Sequence, residues 1–194
     1  MQFFSQFSAF GFSGSRSGVP LGAMRHAARL VPAGSAVFVG CARGVDAYFR
    51  ACFPDAVVFS VASGRWGRGR GAYAARSVAC VRAVAAAGGL WVSFPSSAWP
   101  AGLVPSASSS RCFCGSGSGT YASLAFALGL GVPCVVFSSC GVPAGWGAEG
   151  TGQRTAGTEF RLPPGLSPVP GCSGWFGCPV VLGSAPAAVQ LSLF

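Results

Sequence analysis

Along this chain, short apolar runs alternate with longer stretches in which apolar and small residues recur at helical spacing. "AFGFS" at 9–13, "AVFVG" at 36–40, "AVVFSV" at 56–61, "LWVSF" at 90–94 and "PCVVFS" at 133–138 are bounded by glycine, serine or proline and read as buried strands. "RCFC" at 111–114 reads as one more. Between them, 19–30, 44–53, 72–88 and 120–131 read as helices, the first opened by Pro20 and the third stopped by Gly88 and Gly89. Strand and helix in turn predict an α/β fold, a mostly parallel sheet with helices on both faces.

The alternation organises residues 1–140 as one domain. "PSSAWPAGLVPSASSS" at 95–110 is too polar and proline-rich for an element, and no internal repeat is visible. Residues 141–194 form a glycine- and proline-rich C-terminal extension, in which "WFGCPVVL" at 175–182 offers a further strand. The apolar run 122–137 is shorter than the roughly 18–20 residues of a membrane helix and is interrupted by Gly129, Gly131 and Pro133, so no membrane span is expected. "MQFFSQFSAFGFSGSRSG" lacks the basic region and long apolar core of a signal peptide.

Three predicted strands run into glycine-bearing turns that open helices: "FSGSRSG", "GCARGVD" and "CGSGSGT". In a parallel sheet the carboxyl ends of the strands share one edge, so these loops converge although about a hundred residues separate them. Glycine lets backbone N–H groups approach an anion, and a helix start adds unpaired donors. Gly14, Ser15, Arg16, Gly40, Arg43, Gly44, Gly115, Ser116, Gly117, Ser118, Gly119 and Thr120 are therefore the candidate phosphate-binding residues. Asp46 takes either a ribose hydroxyl or the orientation of Arg43, unless it serves only as a helix-start acid.

Charge sharpens this picture. The chain carries thirteen basic residues, all arginine, against Asp46, Asp55, Glu149 and Glu159, for a net charge of +9. Isoleucine and asparagine are missing along with lysine, which points to codon bias, yet the excess of base favours polyanions whatever its origin. "GRWGRGRGAYAAR" at 64–76 interleaves Arg65, Arg68 and Arg70 with Trp66 and Tyr73, a composition suited to phosphate contact and base stacking.

Nine cysteines are scattered without a CxxC, so the thiols are read as reduced, the location as cytoplasmic, and no metal is expected. Cys112 and Cys114, flanking Phe113 in the predicted strand, would share a face. His26, the one histidine, has no acid or cysteine nearby in sequence, and no GxSxG elbow occurs in a strand-turn-helix context.

"FGFSGSRSG", "VFVGCARGVDAYF", "AARSVACVRAVAAAGGLWVSFP" and "GSGSGTYASLAFALGLGVPCVVF", in that order, resemble the Rossmann-like nucleotide-binding superfamily that joins the DNA-processing protein A family with the Lonely Guy family. The likeness covers roughly residues 8–139. It implies a Rossmann-like three-layer fold and, in the closer DNA-processing branch, single-stranded DNA held by residues matching Arg16, Arg43 and the GSGT loop. The Lonely Guy branch cleaves the base from nucleoside monophosphates with a PGGxGTxxE motif. Here Gly119 and Thr120 match, but Ser123 stands at the glutamate position and cannot replace a carboxylate. Arg76 falls near a helical arginine of that branch and joins the candidate nucleotide-binding residues on that likeness.

The sequence thus predicts a non-catalytic binder of single-stranded DNA or a nucleotide, with no cofactor. The alternatives are a phosphoribohydrolase-like enzyme and a sensor of a small signalling nucleotide. A homodimer is an expectation of the resemblance only.

Overall fold

The computed structural model describes residues 3–115, 118–139, 146, 168–169 and 171–180. Five parallel strands, β1 (Ala9–Gly14), β2 (Ala36–Gly40), β3 (Val57–Phe59), β4 (Leu90–Phe94) and β5 (Cys134–Ser138), lie in the order β3-β2-β1-β4-β5. A sixth, β6 (Phe176–Val180), adds antiparallel to β5. The helices are α1 (Leu21–Leu30), α2 (Val45–Cys52), α3 (Arg70–Ala86), the single turn α4 (Ser109–Cys112) and α5 (Gly119–Gly129). This is a three-layer α/β Rossmann-like fold. Strand order reverses between β1 and β4, where connections leave in opposite directions and open a crevice at the strands' carboxyl ends.

Period-two alternation sorts each strand between two cores. Phe10 and Phe12 of β1, Val37 and Val39 of β2, and Leu90, Val92 and Phe94 of β4 face α1 and α2. There the Phe12 ring stacks on Phe49 of α2 at 3.8 Å, and Phe94 stacks on Phe137 at 5.1 Å. The opposite residues, Trp91 of β4 with Cys134 and Val136 of β5, face α3 and α5. Gly11 is glycine because a side chain there would enter the Trp91 ring and Val84. From Thr120 to Leu128 every residue of α5 is buried, as a helix apolar on all sides must be.

The predicted strand at 111–114 does not form. Ser109–Cys112 is instead one helical turn, and Gly115 (φ +86°) turns the chain immediately after it. The place beside β4 is taken by β5 through the Trp91–Cys134 to Ser93–Val136 register, and four residues could not compete with that longer apolar run. Cys112 and Cys114 consequently do not share a strand face: Cys112 is buried, its thiol donating to the Ser106 carbonyl at 3.4 Å, while Cys114 is exposed. The extension 141–194 lies outside the described residues except for Trp146, 168–169 and 171–180. Among the described residues, no helix is long and apolar enough to cross a membrane.

Two thiols in the α3–α5 core give the fold a pH dependence. Burial pushes Cys80 from 9.0 up to about 12, partly opposed by Arg76, and pushes Cys134 well above 9.0. Both keep their protons in the folded chain where the unfolded chain loses them, so stability is full below pH 9 and falls above it. Each thiol contributes a slope of about 1.4 kcal/mol per pH unit. Urea midpoints should therefore drop between about pH 8 and pH 10.5, by less in Cys80→Ala; equal midpoints would contradict the assignment.

Candidate functional site

The loop after β1 is tied to its neighbours by Ser15. Its N–H donates to the Phe94 carbonyl at 3.0 Å, its carbonyl accepts from Val45 N–H at 3.3 Å, and its hydroxyl accepts from Ser96 N–H at 3.0 Å. One residue thus joins the ends of β1 and β4 to the start of α2. The loop after β2 is held from inside: Arg50 Nη1 donates to the carbonyls of Gly40 (2.6 Å) and Ala42 (3.1 Å), and Asp46 Oδ2 accepts from Ala42 N–H at 3.1 Å.

The third loop reaches the same rim by a different route from the one its sequence suggests. It follows the turn α4 rather than a strand, and it ends the long connection that leaves β4 at this edge before α5 returns the chain to the opposite edge. Ser118 caps α5, its hydroxyl accepting from Thr120 N–H at 3.3 Å.

The three loops enclose a cleft of ≈ 600 Å³. Gly14, Ser15 and Arg16 come from the first loop, Ala42 and Asp46 from the second, and Gly115, Ser118, Gly119 and Thr120 from the third. Helix α3 supplies another wall through Tyr73, Arg76 and Ser77, and Pro100 and Leu103 close it from the proline-rich connection. Arg76 is only 8% exposed; its Nη1 pairs with Asp46 Oδ2 at 3.1 Å, and its Nε–H has no acceptor among the described residues. Arg16 is exposed at the mouth, its guanidinium carbon 5.7 Å from the centroid of the Tyr73 ring. Among the described residues, the cleft lining thus combines two guanidiniums and the amino end of α5 with one carboxylate, which two hydrogen bonds already engage. This electrostatic balance suits an anion.

Several expectations are corrected here. Arg43 is exposed and does not line the cleft, because the pinned loop turns Ala42 and Asp46 inward and carries Arg43 outward between them. Arg76 supplies the second guanidinium in its place, and Asp46 orients Arg76, not Arg43. Gly40 and Gly44 are structural neighbours of the site rather than part of its lining: a side chain on Gly40 would enter the Arg76 guanidinium, and Gly44 lies against the Arg16 backbone. Ser116, Gly117 and the side chain of Arg70 lie outside the described residues. Arg65 and Trp66 line a neighbouring cavity, and Arg68 is exposed on the loop between them and α3. His26 sits elsewhere, edge-on to Phe137 at 6.2 Å, and burial lowers its pKa below 6.5.

Sequence reasoning missed Ser77, Pro100 and Leu103. Ser77 follows Arg76 on a helix face that no periodicity distinguishes, and the other two belong to a segment with no element to place them. The model of no protein family matches this chain, nor does any curated protein or solved structure.

Proposed function

We infer that the cleft binds the phosphate of a nucleotide or of single-stranded DNA and performs no chemistry on it. The observation that carries this reading is the juxtaposition of Arg16, the buried Arg76 and the glycine-bearing start of α5 at the switch point of a parallel sheet. The likeness of the loops to the DNA-processing protein A family points the same way. A hydrolytic reading finds less support. Ser123 lines the cleft where the Lonely Guy motif has its glutamate, and its hydroxyl donates to the Gly119 carbonyl at 2.8 Å. Asp46, the one carboxylate among the described lining residues, is held by Ala42 and Arg76.

Anisotropy titrations with a labelled oligothymidylate and with nucleoside monophosphates test this. If Arg16 and Arg76 each neutralise one phosphate, log K falls with log salt at a slope of about −1.4, or about sevenfold between roughly 50 and 200 mM. Arg16→Ala lowers both the affinity and the slope. Affinity indifferent to salt and to Arg16→Ala would overturn the reading. Release of free base from a monophosphate would establish turnover instead, and tight binding of a mononucleotide with no affinity for the oligomer would mark a small-nucleotide sensor.

A further inference from the structure

Beside the loop cleft, on the other flank of α3, lies a second cavity of ≈ 690 Å³. The two share Ala74 and Phe113 as lining residues, so the boundary between them is one methyl group and one ring. The character of the second is different. Phe59 and Trp66 stand with their ring centroids 6.2 Å apart, tilted by 31°, and Phe113 borders both cavities. The Trp66 ring is fixed, its indole N–H donating to the Ser60 carbonyl at 3.0 Å.

Two cations border this aromatic surface. The Arg65 guanidinium carbon lies 5.2 Å from the Trp66 ring centroid, and that of Arg82 lies 5.9 Å from the Phe126 ring. No acid is among the residues described as lining the cavity. The aromatic surface and its two guanidiniums favour a planar ring attached to an anionic group.

We propose that the second cavity takes the base of a nucleotide unit adjoining the one whose phosphate occupies the loop cleft, the ligand being at least two nucleotide units long and crossing α3 at Ala74. This rests on the phosphate-binding reading of the first cleft. It adds a stacking site and a minimum ligand length. A helix residue larger than alanine at 74 would stand in the crossing, whereas Ala74 leaves it open.

The test compares a 5′-phosphorylated dinucleotide, the matching mononucleotide and a longer oligothymidylate on the full chain. The dinucleotide is expected to bind roughly tenfold more tightly than the mononucleotide, the increment of one stacked base. Trp66→Ala brings that ratio close to one, Trp66→Phe retains most of it, and Ala74→Leu lowers it by obstructing the crossing. Because Trp66 also holds the Ser60 turn, Arg82→Gln on the exposed side of α3 gives an independent reading, a two- to threefold fall in the ratio. If the oligomer gains nothing over the dinucleotide, the natural ligand is a short species; a further gain marks a strand; both outcomes agree with the proposal. A dinucleotide no tighter than the mononucleotide, with both weakened by Arg16→Ala, overturns the second site and leaves the first standing. Binding of none of the three overturns both.

Discussion

Asp46→Ala is expected to lower the unfolding free energy by about 3–5 kcal/mol, because it leaves a buried cation without its counter-charge. Asp46 is 4% exposed and Arg76 8%, and the same Oδ2 that pairs with Arg76 accepts the Ala42 N–H. The substitution therefore removes an ion pair and the bond that shapes the loop after β2. Asp46→Asn keeps a neutral acceptor and costs less, and Asp46→Ala combined with Arg76→Met recovers most of the loss, since the pair itself adds little over well-packed apolar groups. Urea denaturation measures all three.

The same variant reports on the cleft. An anion bound beside Arg76 replaces part of the missing counter-charge, so inorganic phosphate or a nucleotide raises the urea midpoint of Asp46→Ala by more than that of the unaltered chain. Equal increments would show that the anion does not sense Arg76. An Asp46→Ala midpoint unchanged without ligand would remove the pair from any account of the fold.

Gly44→Ala is expected to cost about 3 kcal/mol, from two sources that add at one residue. Gly44 has φ +76° and ψ −125°, a conformation that residues with a Cβ avoid. A Cβ there would also stand 2.6 Å from the backbone of Arg16, where no flexible side chain can swing aside. The chain relieves this only by separating the loops after β1 and β2. The Val45 N–H to Ser15 carbonyl bond is then lost, and Arg16 no longer sits opposite Arg76. Gly44→Ala thus weakens anion binding as well as the fold, whereas Gly64→Ala, with φ +72° and open space around it, carries only the conformational cost. Thermal melts of the two variants, with affinity measured well below their midpoints, separate these contributions. Equal behaviour of the two would mean that the close approach to Arg16 is unimportant.

Much of the architecture is legible along the chain because burial on both faces makes parallel strands continuous apolar runs, which "AVFVG" and "LWVSF" display directly. The failure at 111–114 has the same origin in reverse. "RCFC" has strand-like composition, but its conformation was decided by β5 occupying the slot beside β4, a competition between segments far apart in sequence. Arg43 and Arg76 show the corresponding limit at the site. The motif containing Arg43 is conspicuous, yet the direction of its side chain depends on how Arg50 and Asp46 hold the loop. Arg76, singled out in its alanine-rich helix only through the family likeness, reaches the cleft because α3 packs across the sheet beside Asp46.

By itself the sequence determined the alternation of strands and helices, the excess of positive charge and the presence of glycine where loops must pass close to one another, since these follow from local patterning and composition. Tertiary structure alone decided which guanidiniums share a cleft, that the third loop reaches the rim without a strand to carry it, and that an aromatic cavity adjoins the first across Ala74. Those outcomes depend on packing between segments up to a hundred residues apart, and the energies that choose among such arrangements belong to pairs of surfaces, not to either stretch of chain read alone.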